Sequence, residues 1–140
     1  MDYSAKLTLP YILPNQAQKH VTMNESLRRL DALVQISVIS MVETEPPADP
    51  TEGDRYVVAD GGTGVWARAD GQLAAFQDGA WELYSPQTGW LAWDEAKAAL
   101  TIFDGVDWRH VAQSSQPTFG VNATADDFNR LAVRAPASLF

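Results

Sequence analysis

Hydrophobic positions change their rhythm twice along this chain. Leu9, Tyr11, Ile12 and Leu13 are bunched around Pro10 and Pro14, and each proline pushes the residue before it toward extended geometry. The spacing predicts an extended apolar ribbon. Thr22-Met23-Asn24-Glu25 then fits a capping box, in which a hydroxyl satisfies the first turn and a Glu three residues later bonds back. A helix is predicted from there, with Leu27, Leu30, Leu33 and Val34 as its buried stripe and Arg28, Arg29 and Asp31 facing water. After Gln35 the apolar residues become β-branched, giving a predicted strand near residues 36–44. Residues 45–54 carry three of the eight prolines and read as a stiff connector.

From Arg55 the rhythm is that of strands. Tyr56-Val58 leads to Asp60-Gly61, Leu73-Phe76 to Asp78-Gly79, and Leu100-Phe103 to Asp104-Gly105, with Trp66, Trp81 and Trp108 following the turns. An apolar run, Asp-Gly and an apolar return together signal a hairpin, because Asp-Gly accepts the positive φ of tight turns. Trp66 and Trp93, Leu73 and Leu100, Phe76 and Phe103, and Trp81 and Trp108 share one offset of 27 positions, which indicates a duplicated hairpin unit. Residues 93–100, WDEAKAAL, contain helix formers, yet in the repeat they align with the connection ARADGQL and read as a polar turn. The expected fold is α+β, mainly β: an antiparallel hairpin meander of two duplicated units, one N-terminal amphipathic helix and an extended N-terminal arm. Its expected divisions are the arm at 1–21, a helix plus β-hairpin domain at 22–112, and a linker or start of a distal region at 113–140.

Composition narrows the function classes. With 140 residues and 46% hydrophobic content the chain suits one modest domain with extensions. The net charge is −8, the pI about 4.5, and the Lys and Arg residues are scattered, so a nucleic-acid backbone is not an expected partner. Cysteine is absent, which removes disulfides and thiolate metal sites. No apolar run is long enough for a membrane span. The start, MDYSAKLTLPYILP, has neither a basic leader nor a continuous apolar core before its first proline, so no secretory signal is expected and synthesis is expected in the cytoplasm. The apolar Leu139-Phe140 ending reads as the front piece of something longer.

Catalytic and metal chemistry find little support. His20 and His110 have no second His, Cys or carboxylate at a ligand spacing. GxSxG is absent, Asp94-Glu95 and Asp126-Asp127 lie in polar segments, and Gly61-Gly62-Thr63-Gly64 precedes no predicted helix. No catalytic residue, metal or cofactor is expected. The aromatics are more telling: five Trp and four Tyr, mostly between Tyr56 and Trp108. Phe76, Trp81, Phe103 and Trp108 are expected in the core. Trp66, Trp90 and Trp93 are candidate sugar contacts, since flat rings stack on pyranose faces, and Trp90 stands out because its partner is Val65 at the slightly different offset that relates Thr63-Gly64 to Thr88-Gly89.

The runs LPYILPNQAQKHVTMNESLRRLDALVQ, PPADPTEGDRYVV and TGVWARADGQLAAFQDGAWELYSPQTGWLAWDEAKAALTIFDGVDW resemble, in that order, a domain family of unknown function. It occurs at the front of tail-fibre and spike-like proteins of alphaproteobacterial phages, prophages and gene transfer agents. The resemblance covers roughly residues 7–111. It implies a structural virion component that links the particle to a distal host-recognising part, with other virion proteins as partners and a homotrimer by analogy. On that reading Leu9, Tyr11, Ile12, Leu13, Gln16, Lys19 and His20 form a docking arm. A glycan-binding module for bacterial surface polysaccharide is the alternative.

Overall fold

The computed structural model describes residues 3–12, 19–111, 119–121, 128 and 131–133. One helix, α1 (Lys19–Leu33), precedes the strands β1 (Ile36–Val38), β2 (Arg55–Val57), β3 (Leu73–Gln77), β4 (Ala80–Tyr84), β5 (Leu91–Asp94), β6 (Ala99–Phe103) and β7 (Trp108–His110). They build two sheets, of order β2-β3-β4 and β1-β5-β6-β7, antiparallel except where β1 runs parallel to β5. The described residues are mainly β with one helix.

A single stretch holds the two sheets together. Residues 36–38 pair with β5, and Glu95 N–H donates to the Val38 carbonyl at 2.9 Å. The chain then crosses to the other sheet, where Ile39 N–H donates to the Arg55 carbonyl at 2.8 Å and Val57 N–H to the Ser40 carbonyl at 3.1 Å. Ala59 N–H and Thr63 N–H continue the series on the carbonyls of Glu43 and Thr44. The strand predicted near 36–44 is therefore realised only at Ile36–Val38; beyond it, an isolated bridge at Ser40 and single hydrogen bonds accepted by Glu43 and Thr44 tie the chain to the other sheet.

Two clusters form the core, one on each side of β2 and β3. Ile36, Val38 and Ala92 of the larger sheet meet Val57 and Leu73 of the smaller, flanked by Trp90 and Trp108. On the opposite side Tyr56, Val58 and Ala74 are covered by Trp66 and Ala69 from the β2–β3 connection. Trp66 is the hub there: its ring lies 5.5 Å from Tyr56 and 5.1 Å from Trp81, and Trp81 lies 5.2 Å from Phe76. With both faces of β2 covered, Arg55, Tyr56 and Val57 are all buried.

Several expectations from the pattern are corrected. The helix begins by Lys19, so Thr22 is not its N-cap; the Thr22 carbonyl instead accepts from Ser26 Oγ at 2.9 Å. No Pro or Gly lies between Lys19 and Thr22 to stop the helix running back. Its leucine stripe is buried only in part. Leu27 and Leu33 are half-buried, Leu33 against the core, but Leu30 and Val34 are exposed, while Asp31 and Ala32 are buried and the helix also packs through polar contacts. Gln77 Nε2 donates to the Arg28 carbonyl at 2.8 Å, and Arg55 Nη1 donates to the Ala32 carbonyl at 3.0 Å.

Of the three Asp-Gly signals, Asp78-Gly79 makes the two-residue hairpin turn, with φ of 56° and 75° and the Glu52 carboxylate accepting from the Asp78 amide. Asp104-Gly105 opens a four-residue loop between Phe103 and Trp108. Asp60-Gly61 does not return the chain at all; β2 reaches β3 only after a 3₁₀ turn, Gly64–Trp66, that carries Trp66 into the core. The duplication fails at the same place, since Trp66 sits in that turn and Trp93 in strand β5. Residues 95–98 form the expected turn between β5 and β6. In the tail, β8 (Phe119–Val121) and β9 (Leu131–Val133) pair in parallel.

Two outcomes follow. Trp66→Ala is expected to lower unfolding free energy by about 3–5 kcal/mol in urea denaturation, as for other buried aromatics. The main-chain amides of Asp107 and Val106, and then Arg109, hold the Asp104 carboxyl at about 2, below its ordinary 3.8. The cap therefore contributes fully above pH 3.8 and is lost as pH falls through about 2. The Val106 and Asp107 amide proton shifts should titrate with that low midpoint, and Asp104→Asn should abolish the titration.

Candidate functional site

Two surfaces concentrate the residues not consumed by the core. The first is where the N-terminal segment meets the helix. Asp31, only 1% exposed, accepts from Ser4 Oγ at 2.7 Å, from Lys6 N–H at 3.1 Å and from Leu7 N–H. Ile12 and Asn24 exchange a pair of hydrogen bonds, at 2.9 Å and 3.1 Å. The Arg28 guanidinium lies 5.8 Å from the Tyr11 ring. The expected extended arm is therefore, over residues 3–12, a closed turn seated on the chain's own helix. Of its candidate contacts, Leu9 and Tyr11 are half-buried and Ile12 is exposed. Lys19 and His20 belong to the first turn of α1, and Leu13 and Gln16 lie outside the described residues.

Beneath Asp31 stands Arg55. Burial pushes its pKa below the ordinary guanidinium value, and the carboxylates of Asp31 and Glu95 push it back up. Its Nη1 bonds the last carbonyls of α1, a favourable place for a cation.

The second surface is the outward face of the larger sheet. Alternation along β5 buries Ala92 and Asp94 and turns Leu91 and Trp93 out. Cross-strand register sets Leu91 opposite Ile102 and Trp93 opposite Leu100. Val111 N–H donates to the Leu100 carbonyl at 2.8 Å and extends the ladder, placing Val111 beside Leu100. Leu91, Trp93, Leu100 and Val111 are 50%, 42%, 38% and 44% exposed. Contiguous apolar surface of a few hundred Å² is the kind that marks contact sites. Polar groups rim it: Ser37 donates to the Glu95 carboxylate at one end, and Arg109 donates to Asp104 at the other.

The sugar-contact candidates separate on this frame. Trp66 is 0% exposed and offers nothing to a ligand. Trp90, half-buried, lies in register with inward-facing Phe103 and packs on the core, so it does not share a face with Trp93. Trp93 alone of the three presents its ring on the outer face. Phe103 is buried, and Phe76, Trp81 and Trp108 are half-buried beside the core, with Trp108 Nε1 donating to the Gly71 carbonyl at 2.9 Å.

Residues 23–109 match a family described as a protein of unknown function, DUF2793. The chain belongs to that family. No curated protein matches it. The matched span of this DUF2793 chain covers α1 from Met23, strands β1 to β6 and β7 as far as Arg109, including Leu91, Trp93 and Leu100 of the outer face, and leaves out the segment that caps Asp31.

Chemistry within the domain is quiet. Burial raises the Tyr56 and Tyr84 phenols, and main-chain hydrogen bonds lower Asp70, so each keeps its ordinary protonation state at neutral pH. Among the described residues, no group of three His, Cys, Asp or Glu is placed to hold a metal ion. None of the described helices is long and apolar enough to cross a membrane.

Sequence reasoning missed Asp31, which it set on the solvent side because an acidic residue in LRRLDALV reads as solvated. The outer face was also missed, though β5 and β6 carry a signal for it: Leu91, Trp93, Leu100 and Ile102 all fall on one side once the strands are paired. Asp31→Ala leaves Ser4, Lys6 and Leu7 without their acceptor and is expected to cost about 2–4 kcal/mol. Hydrogen exchange should show the Lys6 and Leu7 amides losing protection, whereas Asp31→Asn, which keeps an acceptor, should lose less.

Proposed function

We propose that this domain is an attachment module of a tail fibre or spike in a phage or gene transfer agent, a structural virion component that joins a particle to a distal host-recognising part. The observation that carries the reading is the outer face of β5 and β6, where Leu91, Trp93 and Leu100 stay in water although the chain has buried comparable side chains elsewhere. A flat apolar sheet face with a polar rim supports protein contact. Other virion proteins, and further copies of this chain, are the proposed partners, with residues 113–140 leading toward the distal part.

The test uses particles purified on a density gradient from cells expressing either the wild type or the double variant Leu91→Asp/Leu100→Asp. These positions are exposed, so circular dichroism and melting temperature should stay close to wild type. Mass spectrometry of the particles is expected to find the wild type and to find the variant depleted at least tenfold. Equal incorporation of a folded variant, or absence of the wild type itself, sinks the reading.

A second reading has one observation in its favour. The exposed Trp93 ring adjoins the Ser37 hydroxyl and the Glu95 carboxylate, an aromatic plane with polar neighbours that suits a saccharide of bacterial surface polysaccharide. Trp93→Ala should then abolish polysaccharide binding in titration calorimetry with little change in melting temperature. Unchanged binding, or none by the wild type, removes it.

A further inference from the structure

The N-terminal segment closes on itself before it touches the rest of the chain. Ser4 N–H donates to the Leu9 carbonyl at 2.9 Å, Leu9 N–H donates to Ser4 Oγ at 3.0 Å, and Tyr3 and Pro10 form an antiparallel bridge. This is a preformed plug. The body presents a socket shaped to it. The Asp31 carboxylate accepts from Ser4, Lys6 and Leu7, and the Asn24 amide pairs both backbone groups of Ile12. Gly53 leaves room for Ala5, since a Cβ there would stand 2.8 Å from the Ala5 Cβ.

The chemistry of the joint does not depend on which copy supplies the plug. Its donors are main-chain amides and one hydroxyl on a single short turn, and they present the same geometry from a neighbouring molecule as from within. An empty socket leaves the Asp31 carboxylate without the three donors that it has in the closed joint, so refilling it restores those hydrogen bonds. A copy that loses its own plug is therefore driven to take another.

We infer that the socket formed by Asp31, Gly53 and Asn24 accepts the Tyr3–Ile12 plug of a second copy of this chain, so that copies can be linked by plug exchange. The inference rests on the assembly reading only for the setting in which copies lie close together. In dilute solution the chain's own plug competes at an effective concentration of about a millimolar and keeps the protein monomeric. Crowded neighbours on a particle remove that advantage.

The test uses two full-length variants. Asp31→Ala keeps the plug and breaks the socket; Ser4→Ala/Leu7→Pro keeps the socket and breaks the plug, by removing the hydroxyl and one amide donor. Neither can close the joint alone. Native mass spectrometry of an equimolar mixture is expected to show a 1:1 heterodimer absent from either variant by itself, with the plug-broken chain melting at least about 4 °C higher in the mixture. A mixture that remains the sum of two monomers, with unchanged melting, overturns the inference. Should circular dichroism show that Ser4→Ala/Leu7→Pro does not fold, the chain lacking residues 1–7, and with them all three donors to Asp31, takes its place with the same two outcomes. Particle incorporation is not part of the readout, so exchange in solution and attachment to particles succeed or fail separately.

Discussion

The architecture depends on how one buried carboxylate is satisfied. Asp31 sits on the face of α1 that meets the body, where an ion without partners would cost several kcal/mol. Its needs are met from outside the helix, by a turn that begins four residues into the chain, and Arg55 stands beneath it at the helix end. The same residue thereby fixes three things: which face of α1 is buried, where the N-terminal turn rests, and how β2 lies under the helix. An apolar stripe could have slid or rotated; a hydrogen-bonded ion cannot. The exposure of Leu30 follows from this, because the face that would have buried it is not the one the ion selects.

Some local signals were legible and others were overridden: the capping box at Thr22 and the turn expected at Asp60-Gly61 did not form. Asp78-Gly79 made the turn its chemistry demands, the turn expected over 93–100 forms at its centre, 95–98, and the strand expected near 36–44 forms at Ile36–Val38. What could not be read is what depends on contacts across long separations. Trp66 was weighed as a surface residue because nothing nearby in sequence reveals that the connection from β2 folds it beneath Tyr56. Asp31 was assigned to solvent because its donors lie some two dozen positions upstream. The repeat misled for a related reason: identical spacing of Trp66 and Trp93 does not carry identical geometry when one precedes a covered strand and the other lies within an edge of the outer face.

The candidate surfaces differ in kind. The outer face of β5 and β6 is apolar, flat and built on paired strands, so its shape is fixed before any partner arrives and little ordering cost attends binding. The N-terminal joint is polar and directional, and its specificity lies in hydrogen-bond geometry instead of area. A domain holding both can distinguish what it binds from how it is held, since changes at Leu91 or Leu100 leave Asp31 untouched.

The crossing of residues 36–44 from one sheet to the other has a mechanical meaning. Its bonds to β5 and to β2 are both parallel in sense, at Ile36–Val38 and at the Ser40–Tyr56 bridge. Tension applied lengthwise through this stretch loads those bonds in shear, so they share the force and must give way together instead of unzipping singly. The sheets are stitched by the part of the chain best arranged to transmit a pull.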